Sequence, residues 1–143
     1  MKTALIIGTH GGTAEQLLKS TEMIIGQQEN VACIDFIPGE NTDTLIQKFK
    51  EKLQTLQTDD GVLFMVDLYG GSPFNAASQI SITKDHYDVV TGVNIPMLLE
   101  TLSTRSSLSF EELVNAALNA GSQGIRSLKG NFQSTEEESE EEL

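Results

Sequence analysis

A chain of 143 residues with 38% hydrophobic content suits one globular core and leaves little room for a second. A formal charge of −12 argues against a nucleic-acid partner, whose backbone is held by clustered lysine and arginine, and no apolar stretch approaches the roughly 20 residues that cross a bilayer. A lone cysteine, Cys33, excludes an intramolecular disulfide and fits a reducing, cytoplasmic compartment.

The first apolar run, Thr3 to Ile7, has only Lys2 before it and polar Thr9 and His10 after it, so it reads as a buried strand and not as a signal peptide. Ala14, Leu17, Leu18, Thr21, Ile24 and Ile25 then recur at helical spacing, with Thr13 and Gln16 as a capping box and Gly26 as the stop. Val31 to Phe36 is a second strand, with Cys33 as a small core residue inside it. A helix over Asn41 to Leu56 carries Leu45, Phe49, Leu53 and Leu56 on one side. Gly61 to Val66 is the third strand, and Ser72 then stands as the cap of a helix opening on Pro73, with Pro73, Ala76, Ala77 and Ile80 inward. His86 to Val90 is the fourth strand, and His86 reads as a surface residue at its start. Asn94 and Pro96 open a helix to about Leu102. Ser109 and Glu112 form a capping box ahead of Leu113, Val114, Ala117 and Leu118.

This alternation predicts an α/β fold in which a mainly parallel sheet is covered by helices on both faces. The domain is expected over 1–129. Residues 130–143 form an acidic tail or linker remnant: six of the 21 acidic residues lie between Ser134 and Leu143 with no basic residue among them, a composition expected to stay disordered.

In an open parallel sheet ligands gather where strands end. Two segments there stand out: Gly8-Thr9-His10-Gly11-Gly12 after the first strand and Asp67-Leu68-Tyr69-Gly70-Gly71-Ser72 after the third. If those strands are neighbours, as in flavodoxin-like order 2-1-3-4, His10, Asp67 and Ser72 converge. A carboxylate accepting from Nδ1–H would fix the imidazole tautomer and leave Nε2 its lone pair. Imidazole is both a nucleophile and a leaving group from phosphorus, so a histidine held this way suits reversible phosphoryl relay. Gly70, Gly71 and Ser72 would offer oriented N–H groups to the migrating anion with no metal or cofactor. The same trio could instead form a Ser-His-Asp hydrolase, with Ser72 as nucleophile, His10 as base and Asp67 as orienter. Against that, Ser72 lies in Gly-Gly-Ser-Pro-Phe and not in a G-x-S-x-G elbow. A nucleotide-binding module is a weaker rival still, because Gly8 to Gly12 lacks the G-x-G-x-x-G pattern and Asp35 lies within an apolar strand.

Ile6-Ile7-Gly8-Thr9-His10-Gly11, Phe36-Ile37-Pro38-Gly39-Glu40-Asn41, Val66-Asp67 with Gly70 to Asn75, and Gly92-Val93-Asn94-Ile95-Pro96-Met97 together resemble the IIA domain of mannose-family sugar phosphotransferase systems. The resemblance covers roughly Met1 to Leu128. It implies that His10 is phosphorylated on Nε2 by the phosphocarrier protein HPr and passes the group to a histidine of a IIB component, either a separate chain or a domain beyond this one. By the same carry-over Asp67 orients His10, Ser72 and Gly71 hold the phosphoryl group, and Phe36, Pro38 and Tyr69 lie near the docking surface. It also implies a homodimer that exchanges an antiparallel edge strand, for which Gly124 to Leu128 is the candidate. The phosphotransferase subunit of a dihydroxyacetone kinase system, with a related fold and an equivalent histidine, is the nearer alternative.

Overall fold

Four short β-rich runs pair into one parallel sheet in the computed structural model, which describes residues 2–130. They are β1 (Ala4–His10), β2 (Val31–Phe36), β3 (Val62–Val66) and β4 (Tyr87–Thr91), in spatial order β2-β1-β3-β4. β1 and β3 are central and almost wholly buried, which is why they read as continuous apolar runs. Five helices follow: α1 (Thr13–Ile25), α2 (Thr42–Thr55), α3 (Ser72–Ser81), α4 (Ile95–Thr104) and α5 (Phe110–Gln123).

Side-chain alternation along the strands builds two cores. Leu5, Ile7, Leu63, Met65 and Val90 meet Ala14 of α1, Met97, Leu98 and Leu102 of α4, and Leu113 and Ala117 of α5. On the opposite face Ala4, Ile6, Val62 and Phe64 meet Leu45 and Phe49 of α2 and Ala76, Ala77 and Ile80 of α3. Both faces are thus covered, as the sequence predicts.

Several boundaries differ from the sequence reading, each for a local reason. β1 continues past Ile7 to His10 because Phe36 of β2 extends the ladder level with His10. Gly61 is a turn residue at φ +103, its N–H donating to Thr58, and β3 starts one residue later. His86 stands at φ +58, exposed, just before β4. The expected Thr13–Gln16 capping box is absent. Gly12 is the N-cap of α1, and the buried Thr9 hydroxyl accepts the Ala14 N–H at 2.8 Å in its place. Ser72 likewise is the first residue of α3 and not its cap, which is Gly71. The Asn94 and Ser109 caps form as predicted.

On the predicted inward faces, Ile24 and Leu118 are exposed. Cys33 is half-buried on the edge strand, and burial together with the carboxylates of Glu15, Asp35 and Glu22 pushes its thiol up to about 11. Gly124 to Leu128, proposed above as an exchanged strand, is not a strand in the single chain: it is turn and coil, with a short helical stretch beginning at Leu128. A strand there would require a ladder partner that these residues lack within one chain. The expected acidic tail lies, from residue 131 on, outside the described residues. Among the described residues no helix is long and apolar enough to cross a membrane.

Candidate functional site

The strand register builds the site. Gly8 of β1 lies opposite Val66 of β3, so Asp67, the next residue, comes level with Thr9 and reaches His10 at the carboxyl end of the sheet. There one oxygen, Asp67 Oδ2, accepts from the backbone N–H of His10 at 3.0 Å and lies 2.9 Å from its ring Nδ1. The other, Oδ1, accepts the Leu68 N–H at 3.0 Å. Partial burial pushes this carboxyl up, but the hydrogen bonds from the His10 backbone and ring outweigh it and leave its pKa below the ordinary aspartate value.

Asp67 is therefore ionised at neutral pH and can only accept, so the contact at Nδ1 must be donated by the ring. Nδ1 carries the proton, so in the neutral ring the lone pair is on Nε2. The imidazole is exposed.

Two further elements fix the ring. Phe36, at the end of β2, stands edge-on to it with centroids 5.6 Å apart at 78°. Gly71, the cap of α3, also lies against the ring: a Cβ at position 71 would come within 3.1 Å of His10 Cε1. α3 consequently opens beside the ring. The N–H groups of its first turn have no carbonyl within the helix, and Pro73 removes one of them at no cost. This positive end of a helix suits a dianion carried on the neighbouring imidazole. Ser72 opens that turn, half-buried. Among the described residues Ser72 and His10 share no hydrogen bond, and Asp67 takes the imidazole's donor. The hydrolase reading lacks its nucleophile–base contact.

Around His10 the surface is apolar. Ile37, Leu68 and Tyr69 are 49%, 59% and 81% exposed, and Pro38 is exposed beside them. Tyr69 packs at a tilt of 42° against Phe74 with centroids 4.6 Å apart, so the loop aromatic is braced against α3. Phe36 and Pro38 line a depression together with His10, whereas Tyr69 lines a separate one with Phe74.

Sequence reasoning missed Glu40 and Lys48. Glu40 Oε1 accepts from the Ile37 N–H at 2.9 Å and from Lys48 Nζ at 2.7 Å, while Oε2 lies 2.6 Å from the same ammonium. These two partners hold the Glu40 carboxyl below its usual range, the Lys48 hydrogen bond foremost. A Glu eight residues before a Lys, across a turn, has no periodic signature in sequence. Among the described residues no cluster of three His, Cys, Asp or Glu side chains suits a metal ion.

Comparison with known proteins places the chain in a family. A family model described as PTS system fructose IIA component matches residues 4–118. The chain is 58% identical over 130 residues to the PTS system mannose-specific EIIAB component of Escherichia coli strain K12, a match covering 90% of this chain and 40% of that protein. It is 38% identical over 112 residues to the PTS system fructose-specific EIIA component of Bacillus subtilis, covering 78% of this chain and 77% of that protein. The crystal structure of phosphotransferase system component EIIA from Streptococcus agalactiae superposes with a TM-score of 0.81 at 28% identity, over 89% of this chain and 98% of that one. The matched region spans all four strands and most of α5, and the chain belongs to the EIIA-man family, the PTS system fructose IIA components.

Proposed function

We propose that this chain is a phosphoryl relay in sugar uptake, in which His10 accepts a phosphoryl group on Nε2 from the phosphocarrier HPr and hands it to a histidine of a IIB component. The single observation that carries this reading is the Asp67–Nδ1 contact of 2.9 Å, which leaves Nε2 as the free nucleophile on an exposed ring. The lone pair of Nε2 forms the new N–P bond as the bond from phosphorus to the donor breaks. As the ring gains positive character, Asp67 offsets it. The opening turn of α3, with Gly71 and Ser72, supplies N–H groups to the phosphoryl oxygens. Reversal uses the same groups, because imidazole is also the leaving group.

Phe36, Pro38 and Tyr69 would then lie within the surface that both partners cover in turn. The reading further takes the protein as cytoplasmic and homodimeric, with Gly124 to Leu128 exchanged between subunits. The chain spans 40% of the length of the mannose-specific EIIAB relative, so IIB stands outside the matched region.

The test is to incubate the purified chain with phosphoenolpyruvate, enzyme I and HPr. Intact mass should then show one added phosphate that is labile in acid and stable in base. His10→Ala should show none. A label that persists in His10→Ala, or no label in either protein, would overturn the reading.

A further inference from the structure

Next to His10, a turn is held with more polar contacts than its exposed position requires. Ile37-Pro38-Gly39-Glu40 closes with Glu40 N–H donating to the Ile37 carbonyl at 3.2 Å. Proline stands second, and glycine third at φ +91, the pattern of a type II turn. The Glu40 side chain then bends back to accept the Ile37 N–H at 2.9 Å, and this side chain is only 14% exposed. Lys48 of α2 grips both oxygens of that carboxylate and also donates to the Asp35 carbonyl of β2 at 2.9 Å. On the other side, the Gly11 N–H donates to the Phe36 carbonyl at 2.8 Å and ties the turn to the residue after His10.

The Glu40 carboxylate and the Lys48 ammonium are engaged with the turn and with β2. Ile37 and Pro38 are exposed, and with His10, Phe36 and Glu40 they line an open, mainly apolar depression. A loop fixed in advance loses little entropy when a partner covers it, whereas a free loop loses much. We infer that the Glu40–Lys48 ion pair is a positioning device, which holds the Ile37–Pro38 turn ready as the docking edge for the phosphoryl donor beside His10. Neither residue touches the reacting atoms. The inference rests on the relay reading above and deepens it: the partner it fits is a protein with a small apolar contact patch around its own phosphoryl-bearing residue.

The experiment measures initial rates of phosphoryl transfer from phosphorylated HPr to the full chain, as a function of donor concentration. The proteins compared are wild type, Glu40→Ala, Glu40→Gln, Lys48→Met and Lys48→Arg. Spontaneous hydrolysis of phospho-His10, which needs no partner, is followed in parallel, and circular dichroism melting verifies folding. Glu40→Ala and Lys48→Met should raise KM for the donor about tenfold, with kcat and the hydrolysis rate unchanged. Glu40→Gln, which still accepts from Ile37, should fall between, and Lys48→Arg should restore near-normal KM. An unchanged KM in well-folded Glu40→Ala would overturn the inference while leaving the relay intact. So would a loss of kcat and a change in hydrolysis together, which would place the pair in support of the ring itself. A wild-type chain that takes no phosphate would overturn the relay reading, and this inference with it.

Discussion

At His10, two hydrogen bonds end on one oxygen of Asp67, and both come from the same residue. The backbone N–H sets where the carboxylate sits, and the ring N–H then has a single low-energy orientation. Replacing Asp67 by Asn removes the charge that makes Nδ1 an obligate donor, and it admits the other tautomer. Asp67→Asn should slow phosphorylation of His10 about 10²-fold, measured with phosphorylated HPr under single-turnover conditions, with little change in fold. Stability carries the same signature. The folded carboxyl titrates below its ordinary value, so its contribution is complete above about pH 4 and is lost as pH falls through the depressed value. The difference in melting temperature between wild type and Asp67→Asn should therefore be full at about pH 6 and shrink as pH drops below about 4. A difference that stayed constant across that range would contradict the ionised pairing.

Among the secondary-structure elements, α3 acts through how it begins. Its cap is glycine, in extended geometry at φ −74 and ψ 172, a conformation open to any residue, so backbone freedom is not why glycine stands there. The reason is contact: a methyl at position 71 would meet His10 Cε1 at 3.1 Å, and the ring would have to give way. Gly71→Ala should leave melting almost unchanged and reduce the phosphorylation rate about tenfold, because the ring is the part able to move. Heteronuclear NMR of the His10 ring would report the displacement directly. α1 begins on a different device. The buried Thr9 hydroxyl, from the strand itself, takes the Ala14 N–H that a helix cap would ordinarily take. Two residues separate α1 from β1 and five separate α3 from β3, which keeps the loops around His10 short.

Across the whole molecule, the end of the sheet opposite His10 is locked by Arg105. This residue closes α4, is almost wholly buried, and donates to the carbonyls of Thr3 at 3.3 Å, Asn30 at 3.0 Å and Glu29. It thereby joins the start of β1 to the segment entering β2. Arg105→Met removes the Arg105 donors from the carbonyls of buried Thr3, of Asn30 and of Glu29, and should cost about 3 kcal/mol, lowering the melting temperature by about 10 °C. His10 lies at the far end of β1, about 20 Å away along the strand, so its phosphorylation rate below the melt should not change. Loss of relay in a well-folded Arg105→Met protein would show that the two ends are coupled.

The α/β class, the four strands, the five helices and the pair of loops that meet at His10 and Asp67 were legible along the chain. Apolar runs with β-branched residues, helical periodicity and caps are local signals, and each depends on residues within a few positions of one another. Asn94 and Ser109 capped where read because a cap is satisfied within its own first turn. Thr13 was misplaced because the group that settles the start of α1, the Thr9 hydroxyl, comes from the neighbouring strand β1, and Ser72 lies one residue inside a helix capped by Gly71. The order β2-β1-β3-β4 could be named only as one option from sequence, and only the tertiary structure brings Asp67 to His10 across 57 positions. Glu40 with Lys48, and Arg105 with its three carbonyls, left no trace in composition or spacing. A buried charge is stabilised by whatever polar groups the folded chain brings around it, and that is decided by how the elements pack and not by the order of residues within any one of them.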